Sequence, residues 1–133
     1  MVPNFQIITL ATRRDYAQKR SDIVVKMTEA YIQTNRWISD HPTEVKKAIG
    51  VTYLKYDEAL ANEMVTLKWP RNGQALMPSM KYFAAQMNRL GLIERVPDLD
   101  AYFVDDYLKK ALVSVKPVAD PDFEKAMATP FPR

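Results

Sequence analysis

The chain has 133 residues, 47% of them hydrophobic and 26% charged, a composition typical of one soluble globular domain. Its 19 basic residues are balanced by 16 acidic ones, and no Lys/Arg run exceeds two residues, so we expect no nucleic-acid partner. Cysteine is absent, which excludes disulfides and thiolate metal sites.

The first residues, Met1 to Phe5, carry no basic region followed by an apolar run, so we expect no secretion signal in this chain. The apolar runs along the rest of the sequence are only a few residues long. We therefore expect no membrane span.

One strand is predicted, from Phe5 to Thr12 (FQIITLAT), because this stretch is rich in β-branched and apolar residues and lacks helical spacing. A single strand leaves its backbone donors and acceptors unpaired within the chain. We therefore expect a homo-oligomer in which copies of the chain pair through Phe5 to Thr12.

About five helices are predicted after this strand, so the expected fold class is mainly α. The first helix begins at Ser21 and ends near Ser39, before the breaking sequence Asp40-His41-Pro42. Lys26, Glu29, Gln33 and Arg36 fall outside its apolar face. Residues spaced by three or four predict its buried stripe: Val24, Met27, Tyr31, Thr34 and Ile38.

The other helices are bounded by proline, glycine and aspartate. Within the third helix, Leu60, Met64 and Leu67 predict an apolar ridge. The expected ranges are Pro42 to Ile49 with Gly50 as its C-terminal cap, Tyr56 or Asp57 to Lys68, Pro78 to Leu90 before Gly91, and Asp98 or Asp100 to Leu112.

The helical pattern fades from Val115 onward, where four prolines and one short helical stretch, Asp122 to Met127, are found. We interpret residues 1–114 as the helical domain and residues 115–133 as a proline-containing tail that is weakly ordered or lies on a partner.

No set of residues points to catalysis or metal binding. His41 is the only histidine, and its place before Pro42 indicates a solvated loop residue or a partner of the helix end. The acidic residues Asp98, Asp100, Asp105 and Asp106 are better explained by helix capping than by a cation site. We expect no enzyme activity, no metal and no cofactor.

Aromatic residues are plentiful and fall mostly within predicted helices, which favours core or interface packing over ligand stacking. The set is Trp37, Tyr53, Tyr56, Trp69, Tyr82, Tyr102 and Phe103.

The order of elements resembles one known family more than any single motif does. A strand followed by a long helix and the helix TEVKKAIG is similar to the C-terminal third to half of nitrate/sulfonate/taurine solute-binding proteins of ABC importers, a family that also includes thiamine-precursor binders. The sequence Asn88 to Ile93 (NRLGLI) matches a Leu-Gly-Leu-Ile segment of that family. Leu99 to Leu108 resembles its acidic ending helix, and the resemblance covers roughly Phe5 to Leu112.

This resemblance implies the C-terminal portion of a type II periplasmic binding protein, located in the periplasm. It implies capture of a small anionic or organic solute, with an ABC permease as partner. The first lobe and most ligand contacts of that family would precede Met1, so we expect the chain to be a fragment. Asn4 and Phe5 would lie nearest the hinge and the substrate-binding cleft.

A second hypothesis needs no family. Amphipathic helices without catalytic or metal-binding groups are also typical of a stand-alone helical module for protein interaction or dimerisation.

Overall fold

The computed structural model describes residues 9–65 and 67–130, which form a helical structure. The eight α-helices and the single π-helix of this part are, in chain order, α1 (Arg14–Lys19), α2 (Ser21–Asp40), α3 (Pro42–Lys46), the π-helix (Lys47–Tyr53), α4 (Glu58–Glu63), α5 (Met77–Arg89), α6 (Leu99–Tyr102), α7 (Asp106–Val115) and α8 (Pro121–Ala128). The predicted mainly α class is confirmed.

The predicted N-terminal strand is not found. Residues 5–8 lie outside the described part, and residues 9–12 adopt no regular secondary structure. Throughout residues 9–65 and 67–130 there is no strand and hence no sheet. A strand requires a neighbouring strand to complete its backbone hydrogen bonds, and this part of the chain supplies none.

Helices α2 and α7 make the principal packing contact of the molecule. Ile32 on α2 and Ala111 on α7 are both fully buried. The turn at Gly73 closes over this contact, since a Cβ placed there would lie 3.1 Å from Cγ1 of Ile32 and 3.4 Å from Cδ1 of Leu108. With a φ of +73°, this turn also favours glycine.

The buried stripe of α2 is rotated from the predicted one. Val24 is buried as expected, but Met27 and Thr34 are exposed and Tyr31 and Ile38 are only half-buried. The residues that complete the buried face are Thr28, Ile32 and Asn35. Burial of two polar residues is tolerated because each has a partner. Thr28 Oγ1 donates to the carbonyl of Val24 at 2.8 Å, and Asn35 Nδ2 donates to the carbonyl of Pro70 at 3.1 Å.

Two predicted helices are shorter than their sequence patterns. Helix α4 begins where expected, because the Asp57 carboxylate accepts from the backbone N–H of Leu60 at 2.8 Å, but it ends at Glu63. Its predicted ridge is wrong, since Leu60 and Leu67 are exposed and Ala61 is the buried residue. The single helix predicted up to Leu112 is divided into α6 and α7.

Gly50 is not a helix cap but a contact residue inside the π-helix. A Cβ on it would lie 2.7 Å from Cβ of Ala61 and 2.9 Å from Sδ of Met64, so only glycine allows α4 to approach this closely. Helices α3 and α4 and the π-helix all contact one another and form one packed unit.

The segment after α7 is bound to the rest of the chain. Asp120 caps α8 by accepting from the N–H of Phe123 at 3.2 Å, and its other oxygen accepts from the N–H of Arg71 at 2.6 Å. Lys68 forms an exposed ion pair with Asp122. These bonds join residues 120–122 to the loop before α5, while the predicted boundary between residues 114 and 115 stays a prediction.

The hydrophobic core is small for a chain of this length. Its buried apolar residues among those described are Ala17, Val24, Ile32, Val45, Ala61, Leu76, Ala84 and Ala111, of which four are alanines. Many large apolar side chains of the described residues remain exposed to solvent, among them Tyr53, Val65 and Val113.

Candidate functional site

The residues predicted to lie nearest a ligand, Asn4 and Phe5, fall outside the described part of the chain. The functional candidates within it come from three other places: a polar cluster beside the end of α2, a cleft beside α6 and α7, and the packed unit that contains the π-helix.

The single histidine of the sequence, His41, contacts the end of α2. His41 stacks on Trp37 with ring centroids 5.0 Å apart and planes 14° apart, and its Nδ1 lies 2.9 Å from the Trp37 carbonyl. This geometry fits the predicted role at the helix end. In residues 9–65 and 67–130 no group of three His, Cys, Asp or Glu side chains has the proximity to hold a metal ion.

Arg36 is the centre of the polar cluster. It was expected outside the apolar face of α2, yet its guanidinium donates to four oxygens: the carbonyls of Arg71 at 2.9 Å, Val115 at 3.0 Å and Lys116 at 2.8 Å, and Oδ1 of Asn72 at 3.1 Å. Lys116 has a φ of +50°, a conformation unfavourable for a side-chain-bearing residue. The Arg36 bond helps to hold it there.

Asn72 joins the same cluster to the segment before α8. Its Oδ1 accepts from the N–H of Val118 at 2.9 Å, and its Nδ2 donates to the carbonyl of Val118 at 2.7 Å. Asn72 is buried and both of its side-chain polar atoms form hydrogen bonds, so its amide is not available to bind a ligand. The role of the cluster is to bind three distant segments together.

A salt bridge adjoins this cluster. Arg71 donates to Asp40, and this hydrogen bond holds the pKa of the Asp40 carboxyl below its ordinary value of 3.8. The same bond raises the pKa of Arg71, which stays charged. The pair is partly exposed and uses both charges internally.

A cleft of about 450 Å³ lies between the segment leading into α5, the α6–α7 region and α8. It falls within the size range of small-molecule sites. The residues that line it are Gln74, Ala75, Met77, Asp100, Phe103, Asp105, Leu108, Phe123 and Met127. The sequence analysis considered Phe103, Asp100 and Asp105 as candidates. No sequence pattern indicated that Gln74 or α8 would lie beside them.

The third candidate is the packed unit of α3, the π-helix and α4. Six large apolar residues in or next to these elements are exposed, and we name them the π–α4 surface: Ile49, Tyr53, Leu54, Tyr56, Leu60 and Val65. Tyr53 is 81% exposed and Val65 is 91% exposed. Tyr53 and Tyr56 were expected to pack in a core or an interface; Tyr53 contributes little to the core of this chain, whereas Tyr56 is 40% exposed.

Two unusual backbone features accompany this surface. The π-helix places the N–H of Leu54 2.8 Å from the carbonyl of Ile49, five residues earlier. Lys55, directly after it, has a φ of +60°. π-Helical turns and non-glycine residues with positive φ are uncommon and concentrate at functional sites.

The described helices include none that combines the length and apolarity needed to cross a bilayer, consistent with the predicted absence of a membrane span. No protein-family model, curated protein or solved structure matches this chain.

Proposed function

We propose that this chain is a helical protein-interaction module that self-associates through the π–α4 surface. The observation that carries the proposal is the set of six exposed large apolar residues between Ile49 and Val65, in and next to one packed unit. Large exposed apolar areas are typical of interaction sites, and tyrosines are among the residues that contribute most to binding energy.

The charges beside the surface favour a second copy as the partner. Lys46, Lys47 and Lys55 precede α4, whereas Asp57, Glu58 and Glu63 lie at its start and along it. In a two-fold dimer the same patch meets itself, so basic groups of one copy can face acidic groups of the other. A purely basic or purely acidic partner would meet repulsion from the groups of its own sign.

The experiment is sedimentation velocity at tens of micromolar chain on the wild type, Tyr53→Ser and Tyr102→Ser. Tyr102 is 70% exposed and lies outside the π–α4 surface, which makes it a matched control. We expect a wild-type dimer, a dissociation constant about tenfold higher for Tyr53→Ser, and no change for Tyr102→Ser. A monomeric wild type, or equal effects of both substitutions, would contradict the proposal.

Salt and a strand variant separate the competing association elements. The charge pairing predicts weaker dimers as salt rises from about 0.05 M to about 0.5 M. Ile8→Pro removes a backbone donor and should disrupt an oligomer built on Phe5 to Thr12, the association predicted from the sequence. If Ile8→Pro dissociates the dimer and Tyr53→Ser does not, the strand rather than the π–α4 surface is the interface.

The role as solute-binding component of an ABC importer, with its periplasmic location and permease partner, stays a prediction from sequence motifs. That family is built from α/β lobes, and the described residues contain no strand. Native mass spectrometry of the purified chain with nitrate, taurine or an alkylsulfonate tests it directly. Retention of one of these solutes would restore it as the leading function.

A further inference from the structure

The cleft beside α6 and α7 is independent of the proposed dimer surface, since it shares no residue with the π–α4 surface. We propose that it binds a small organic cation: a protonated amine attached to an apolar body.

The apolar part of this ligand would meet the walls of the cleft. Five of its nine lining residues are large and apolar: Met77, Phe103, Leu108, Phe123 and Met127. They come from α5, the α6–α7 region and α8, so the cleft exists only because these segments converge. Aromatic rings and thioether groups favour flat apolar ligands, and ring faces also attract cations.

The charged groups of the cleft favour a positively charged ligand. Among the lining residues that the structure describes, the charged ones are Asp100 and Asp105, and both are acidic. Asp100 already pairs with Lys81 at 2.7 Å. Asp105 has no cationic partner among residues 9–65 and 67–130, so its charge is available to a bound ammonium group.

Gln74 adds a neutral acceptor. Its Oε1 is shielded from solvent and has no hydrogen-bond partner in the described part of the chain. A shielded acceptor without a partner lowers the stability of the folded chain, and a hydrogen bond from a ligand donor would remove this penalty. The terminal torsion of glutamine is soft, so the amide can turn toward a donor without moving the backbone. A primary ammonium has three N–H donors, which suits a site supplied with carboxylate and carbonyl oxygens.

The same chemistry disfavours anions. A nitrate, sulfonate or carboxylate in this cleft would face two aspartates, and no basic side chain is among the lining residues in positions 9–65 and 67–130. The cleft is therefore unsuited to the anionic solutes suggested by the sequence resemblance.

Three probes of similar size and different charge test the proposal: benzylammonium, benzyl alcohol and benzoate. Binding is followed by two-dimensional amide NMR at pH 7 on the whole chain. We expect saturable shifts centred on residues 74–77 and 99–108, with benzylammonium binding at least about tenfold more tightly than benzoate and benzyl alcohol in between. Equal affinities, tighter binding of benzoate, or no saturable binding of benzylammonium would overturn the proposal.

Two variants locate the interaction. Asp105→Asn removes the unpaired charge and should weaken benzylammonium binding by about three- to tenfold, leaving benzyl alcohol binding unchanged. Asp98→Asn is the control, because Asp98 is exposed and does not line the cleft. Gln74→Met removes the unsatisfied oxygen and should weaken benzylammonium more than benzyl alcohol. If Asp98→Asn and Asp105→Asn have equal effects, only general electrostatic attraction operates and the site is refuted.

Discussion

The guanidinium of Arg71 donates two hydrogen bonds to the carboxylate of Asp40, at 2.7 Å to Oδ1 and 3.2 Å to Oδ2. Asp40 is the last residue of α2, and no basic residue occupies the last turn of that helix. A carboxylate there faces the negative end of the helix dipole, so Arg71 supplies the compensating charge from a loop 31 residues away in sequence.

This pair predicts a pH dependence of stability. The hydrogen bond from Arg71 lowers the pKa of Asp40 in the folded chain below the ordinary value of 3.8. The stabilisation from the ion pair is therefore fully present above the unfolded-state pKa of about 3.8. It is lost as the pH falls through the lower pKa of the folded chain. Urea unfolding of the wild type and Asp40→Asn from about pH 6 to about pH 3 should show a difference in free energy that diminishes below about pH 4. Asp98→Asn is the control, and a difference that stays constant with pH would exclude this linkage.

Gly50→Ala should destabilise the packed unit of α3, the π-helix and α4. The new methyl group would lie 2.7 Å from Cβ of Ala61, and relieving that overlap should cost about 1–3 kcal/mol. The check is a double-mutant cycle with Ala61→Gly, measured by urea unfolding. We expect the double variant to be about 1 kcal/mol less destabilised than the sum of the two single effects, because the second change restores space. Strict additivity would show that the two residues do not press on each other.

Asn72→Ala should lower the free energy of unfolding by about 2 kcal/mol, because it leaves the N–H and carbonyl of Val118 without their partner and removes one acceptor from Arg36. Amide hydrogen exchange at Val118 should accelerate by more than the global loss requires. Asn62→Ala, on the exposed face of α4, is the control and should change stability by less than about 0.5 kcal/mol. Equal effects of the two substitutions would show that Asn72 does not hold the segment before α8 against the polar cluster.

Gln74→Met should stabilise the free chain by about 1 kcal/mol, because it replaces a shielded oxygen without a partner by an apolar group of similar size. Thermal unfolding measures the change. Gln33→Met, on an exposed position of α2, controls for the general effect of an added methionine. A lower melting temperature for Gln74→Met alone would indicate that the oxygen is satisfied in solution by water.

The helical class and several helix boundaries could be predicted from the amino-acid sequence, because they depend on local chemistry. Pro42 and the residues before it end α2 near the expected place. Asp57 caps α4, and Gly91, with a φ of +71°, follows α5 as its position in the pattern predicts. Each of these effects operates over a few neighbouring residues, so the pattern alone is sufficient to find it.

The buried faces of the helices and the contacts between distant segments could not be predicted from sequence, because they depend on tertiary packing. The stripe of α2 rotated toward Thr28 and Asn35 because partners in the chain satisfy those polar groups, as the Pro70 carbonyl does for Asn35. Arg36 donates to the carbonyls of Val115 and Lys116, about 80 residues away in sequence. Glycine is required at position 50 because Ala61 packs against it, not because a helix ends there. The cleft likewise depends on α8 meeting Gln74. Such contacts depend on distances between segments remote in sequence, and periodicity along one segment contains no information about them.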